Sequence, residues 1–213
     1  MKIEHVLPEE IEKRSFAIIS EELEKKQIVL PRETEMVTKR VIHTSADFEY
    51  AKTLVYSPNA VEIAKELIKN GADIVTDTNM ALAGINKKVL ARYGGEVHCF
   101  MAEEEVARMA KERQVTRATI SMEKAAQIKK PVIFAIGNAP TALVRLYELI
   151  SEGKLSPELI IGVPVGFVNV VASKELIMQT ETPYIVAKGR KGGSNIAACI
   201  CNALLYMIDN KRD

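Results

Sequence analysis

Short runs of branched apolar residues alternate with longer stretches of helical periodicity, and this alternation limits the fold more than any other feature of the chain. The clearest run, Pro131 to Ile136, is too short for a helix and lacks polar alternation, so it reads as a strand covered on both faces. Further strands are expected over Ala72 to Thr76, Gly95 to Met101, Leu159 to Val163 and Tyr184 to Ala187, with a weaker candidate at Thr53 to Tyr56. One helix is led by Pro8 and another starts near Pro31, since proline suits a first helical turn. Others are expected from Ser57-Pro58 to Asn70, after the acids Glu103, Glu104 and Glu105, and over Thr116 to Lys130, Pro140 to Gly153 and Ser194 to Asn210. Parallel strands need crossover connections, and helices supply them. The expected architecture is therefore α/β: a three-layer α/β/α domain with a mostly parallel sheet and an N-terminal helical extension, taken as a single domain over residues 1–213.

Composition narrows the function classes. A chain of 213 residues can bury a full core without metal or disulfide staples. The net charge of +1 implies no face-wide positive field, and the aromatic content of 5% without Trp offers no stacking platform, so nucleic acid is not an expected partner. The longest apolar run, Leu159 to Ala172, is interrupted by Gly162, Pro164 and Gly166 and falls short of the ~20 residues a membrane span needs. Met1 to Glu10 carries acids and no apolar core, unlike a secretory signal. Cys99, Cys199 and Cys201 have neither disulfide-framework nor zinc-ligand spacing, so no metal site is expected, and a reducing cytoplasm is the expected location.

Three strand ends are rich in small residues: Gly137-Asn138-Ala139-Pro140-Thr141, Gly162-Val163-Pro164-Val165-Gly166-Phe167, and Lys188-Gly189-Arg190-Lys191-Gly192-Gly193-Ser194. Each leads toward a helix N-terminus, where free N–H groups and the helix dipole favour anions. Ligands of parallel sheets bind beyond the carboxyl ends of the strands, so the three turns mark one candidate edge. None matches a P-loop or a dinucleotide fingerprint. Glycine and proline also punctuate ordinary tight turns, and the sequence leaves both readings open for each loop.

His43 shares a helix face with Arg40. An imidazole beside a fixed cation suits proton transfer to an anionic substrate, because histidine titrates nearest neutrality. In this helix Val37, Val41 and Thr44 form a stripe with Arg40 and His43 beside it, and in the first helix Ile11, Ser15, Ile18 and Ile19 recur at helical spacing. Spacing alone leaves His43 open between a boundary position and an acid–base group.

Taken together, Glu12-Lys13-Arg14-Ser15-Phe16-Ala17-Ile18-Ile19, Arg40-Val41-Ile42-His43, Gly137-Asn138-Ala139-Pro140-Thr141-Ala142-Leu143, Gly162-Val163-Pro164-Val165-Gly166-Phe167-Val168 and Gly192-Gly193-Ser194 resemble the precorrin-8X methylmutase family, also described as cobalt-precorrin-8 methylmutase. The resemblance implies an isomerase of cobalamin biosynthesis that moves a methyl group from C11 to C12 of a corrin precursor by a 1,5-sigmatropic shift. It implies His43 as the catalytic acid, Ser15, Arg40 and Arg117 as substrate-binding residues, a corrinoid small-molecule substrate and a homodimer. Such a shift calls for no cofactor, only a ring held in one shape with its electron distribution biased. Two other readings stay open: a module that holds a corrinoid product and passes it on, and an α/β enzyme acting on a phosphorylated small molecule.

Overall fold

The run at 132–136 forms a strand buried along its whole length, with alternate side chains entering two different cores. In the computed structural model, which describes residues 7–209, this strand lies near the middle of a six-stranded sheet. Three helices come first: α1 (Pro8–Lys25), α2 (Glu35–Ser45) and α3 (Tyr50–Thr53). Then follow β1 (Leu54–Tyr56), α4 (Ala60–Lys69), β2 (Asp73–Thr76), α5 (Asn79–Gly84), α6 (Lys87–Arg92) and β3 (Val97–His98). The chain continues through α7 (Glu104–Glu112), α8 (Arg117–Ala125), β4 (Val132–Ile136), α9 (Pro140–Ser151), β5 (Leu159–Gly162), α10 (Val170–Met178), β6 (Tyr184–Ala187) and α11 (Ser194–Ile208).

The strand order is β1-β6-β5-β4-β2-β3, parallel throughout except that β1 runs antiparallel to β6, with Leu54 opposite Ala187. Ile133 and Ala135 of β4 join a core with α2, α4 and α11, where Val41, Ile68 and Leu204 are buried. Phe134 and Ile136 face the other way, into a core with α8 and α9 that includes Met122, Leu143 and Leu146. This is the expected three-layer α/β/α arrangement, and the helices ahead of β1 form the expected N-terminal extension.

Several boundaries differ from the sequence reading, each for a local reason. The chain at Pro31 makes a turn, with the Pro31 carbonyl accepting from Thr34 and Glu35 N–H, and α2 begins only at Glu35. Ser57 does not cap α4. Its Oγ accepts from the Tyr184 N–H at 2.9 Å, and the helix starts after Asn59, which is left-handed. The strand expected over Gly95 to Met101 pairs only at Val97 and His98, against β2 at the sheet edge. The helix expected to reach Lys130 stops at Ala125. Beyond it the chain closes turns instead, with Gln127 N–H donating to the Lys124 carbonyl and Ile128 N–H to the Ala125 carbonyl, both at 3.1 Å. Helix α10 is not expected from the sequence, since its first residues, Val170 to Ala172, close the apolar run that begins at Leu159. In α1 the buried face carries Ile19 and Leu23, while Ile11 and Ile18 turn outward. His5 and Asn210 lie outside the described residues.

Candidate functional site

Helix α2 holds Arg40 and His43 one turn apart near its C-terminus, where Ala46 adopts a left-handed conformation and ends the helix. The Arg40 guanidinium lies between two aromatic rings, 5.0 Å from the centroid of Phe16 on α1 and 5.5 Å from that of Tyr206 on α11. It also forms an ion pair with Glu12 of α1. The exposed His43 ring is tilted against the same Phe16, with centroids 5.6 Å apart. Ser15 directly precedes Phe16, and its hydroxyl donates to the Ile11 carbonyl at 2.9 Å. The structure thus sets Arg40 and His43 against one phenylalanine, while the Ser15 hydroxyl turns back to its own helix. The next residue on α2, Thr44, donates its hydroxyl to the Cys199 sulfur at 3.1 Å, tying the α2 terminus to α11.

The reversed direction of β1 brings the segment just beyond α2 to the carboxyl edge of the parallel strands. The end of α3 meets the end of β6, where Lys188 N–H donates to the Thr53 carbonyl at 2.8 Å. Lys191 then pairs with both Asp47 and Glu49, just beyond α2. Of the three cations expected to face a ligand, Lys191 is therefore engaged within the fold, while Lys188 and Arg190 point to solvent. The Arg190 guanidinium lies 5.5 Å over the ring of Phe167, and the Arg190 carbonyl accepts from Gly166 N–H at 3.1 Å. Two of the three glycine turns are therefore joined to each other. Gly192 is required at their crossing, since a Cβ there would stand 2.0 Å from the Val163 carbonyl oxygen.

The third turn follows β4. There the connections leaving β2 and β4 depart in opposite directions, the position at which such sheets open a ligand crevice. Here the crevice is filled from inside. The buried Asp77 carboxylate accepts N–H bonds from Gly137 (2.8 Å), Asn138 (2.8 Å) and Ala139 (2.5 Å). Burial pushes the Asp77 carboxyl above its ordinary range while these donors pull it back. A cradle of this kind would otherwise suit a phosphate, so the protein's own carboxylate disfavours the reading of a phosphorylated small-molecule substrate.

Arg117 opens α8, whose N-cap Thr116 accepts from the Thr119 N–H at 3.2 Å and shares a 2.9 Å hydroxyl bond with Thr141 at the start of α9. This places the exposed Arg117 beside the β4 turn, apart from the cluster around Phe16. Met80, Val165 and Phe167 are exposed, with Phe167 82% accessible. Cys199 and Cys201 are buried, and burial pushes the Cys201 thiol up to about 12. Among the described residues, no group of His, Cys, Asp and Glu gathers as a metal site would, and no helix is long and apolar enough to cross a membrane.

Sequence reasoning missed Glu12 as the partner of Arg40, the pairing of Lys191, and Lys174. The last had a readable signal: a lysine standing on the buried stripe of Val170, Ser173 and Ile177.

The fold and the site define an α/β/α-layered protein that presents an exposed histidine beside a held arginine. The family model for precorrin-8X methylmutase matches residues 10–207, and the chain belongs to that family. It is 42% identical to a cobalt-precorrin-8 methylmutase of Salmonella typhimurium, over 93% of this chain and 95% of that one. It is 40% identical to a cobalt-precorrin-8 methylmutase of Priestia megaterium, over 96% of this chain and 90% of that one. A crystal structure of precorrin-8X methylmutase from Thermus thermophilus superposes with a TM-score of 0.84 at 36% identity, covering 93% of this chain and 97% of the other.

Proposed function

We propose that the chain catalyses the 1,5-sigmatropic migration of a methyl group from C11 to C12 of cobalt-precorrin-8, giving cobyrinate, with His43 as the general acid. One carbon–carbon bond breaks and another forms, so the formula is unchanged, and the proton lent by His43 returns to it. The observation that carries this reading is the meeting of Arg40 and His43 at Phe16. The imidazole is open to solvent while the cation beside it is held by two rings and a carboxylate, so an anionic substrate finds a fixed charge next to a mobile proton. Ser15 and Arg40 bind the substrate, and Arg117, Lys188 and Arg190 meet carboxylates further along the edge. Exposed Phe167 and Met80 offer apolar area to the macrocycle. The cobalt-containing substrate is favoured because the Salmonella and Priestia relatives are named for it. The working form is a homodimer in the cytoplasm.

An absorbance time course with precorrin-8, with and without cobalt, tests the reading, because methyl migration changes ring conjugation. Conversion by the native protein and loss of turnover in His43→Ala, with binding retained, are expected. A spectrum that shifts at once and then stands still, equally in both proteins, would replace the mutase with a carrier.

A further inference from the structure

Lys174 is 1% exposed, on the apolar stripe of α10, and among the described residues its ammonium meets no carboxylate. Nζ donates instead to two main-chain carbonyls of the turn between β6 and α11, that of Gly189 at 2.8 Å and that of Lys191 at 2.9 Å. Burying an ammonium without a counter-charge is unfavourable, and an aliphatic side chain would fill the same space more easily. The arrangement persists because the turn converges two carbonyls on one point, with Gly189 at φ +79° and Gly193 at φ +139°. On the outer side of the turn stand Lys188 and Arg190, both exposed. The segment that supplies Lys174 also supplies Phe167 and Gly166, which grip Arg190 from outside. The turn is therefore held from below by a buried cation and from above by a ring.

We propose that Lys174 is a positioning residue for the methyl shift: its two bonds fix the turn so that Lys188 and Arg190 meet the carboxylates of the macrocycle. This rests on the mutase reading given above. An ammonium directs several N–H donors at once, whereas methionine of similar length directs none and leaves both carbonyls unsatisfied.

The test is steady-state turnover of cobalt-precorrin-8 by the full chain, in a cycle combining Lys174→Met with the paired change Lys188→Ala and Arg190→Ala. Lys174→Met alone is expected to raise KM about tenfold and leave kcat within about twofold. In the chain lacking both outer cations it should add nothing, because the charges it positions are gone. Gly189→Ala supplies a second route that leaves the Lys174 side chain itself in place. Its Cβ would meet nothing within 4 Å, yet its φ is unsuited to alanine, so the turn alone is disturbed and KM should rise again. An undiminished rise for Lys174→Met without Lys188 and Arg190 would overturn the proposal, as would an unchanged KM in Gly189→Ala. If both outer cations prove dispensable while the native chain turns over, the positioning role fails and the mutase stands. No turnover by the native chain would remove the mutase reading and this proposal with it.

Discussion

Glu12 and Arg40 are ion-paired across the contact of α1 and α2, with the guanidinium also near the rings of Phe16 and Tyr206. Its side chain is only 15% exposed, so the cation is fixed before any ligand arrives. A carboxylate approaching Arg40 must share it with Glu12.

Replacing Glu12 with glutamine keeps the shape and removes the competing charge. Glu12→Gln is expected to lower KM for the substrate about two- to fivefold with kcat unchanged, a modest gain typical of a partly exposed pair. Titration of substrate absorbance reads it directly. A higher KM would mean that Glu12 serves Arg40 by orienting it.

Asp77 predicts a stability effect without a change of chemistry. An asparagine would turn an NH2 group toward donors that now meet carboxylate oxygens. Asp77→Asn should lower unfolding stability by about 1–3 kcal/mol, read as a lower urea midpoint at unchanged slope. Because the cradle is occupied, millimolar inorganic phosphate should leave the Tm of the native protein where it is. A clear rise with phosphate would restore the reading of a phosphorylated ligand.

Lys174 predicts a pH dependence. Burial pushes its pKa down to about 8 from an ordinary value of 10.5. Between these values the folded chain binds fewer protons than the unfolded one, so this group makes stability rise with pH, and below pH 8 its unfavourable burial is felt in full. The native protein should gain stability relative to Lys174→Met as pH climbs from 8 to 10. Parallel curves for the two proteins over that range would contradict a buried, titrating lysine.

Gly192→Ala is expected to be more damaging than a turn substitution usually is. The added Cβ would press on the Val163 carbonyl at a backbone φ of +156°. A loss of about 2 kcal/mol or more is expected, since the strain and the clash act together. Thermal unfolding beside Gly189→Ala, which has open space, separates the contact from the backbone effect.

The layer order was legible because the strand runs are apolar on both faces, and no other common arrangement covers Val132 to Ile136 twice. Arg40 and His43 were legible as a pair because helical spacing alone puts them on one face. Tyr206 was not legible as part of the site, since nothing local to α11 marks a ring that will lie on a cation more than a hundred residues away. Asp77 was readable as a hydrogen-bonding residue beside β2, but which N–H groups it would meet depends on β4 lying next to β2. Lys191 looked like a ligand cation because its partners Asp47 and Glu49 precede it by most of the chain.

Arg40 is held by rings from α1 and α11, and Thr44 by a sulfur of α11. During synthesis on the ribosome, the residues proposed to do the chemistry emerge early with Phe16 and Glu12, yet Tyr206 and Cys199, which complete the surface that holds them, are made much later. A nascent chain thus lacks one of the two rings around its arginine, and the sulfur that ties down the end of α2, until α11 has folded back. Incomplete polypeptides released by premature termination would be chemically inert rather than partly active, and a short deletion at the far end should silence residues near the beginning.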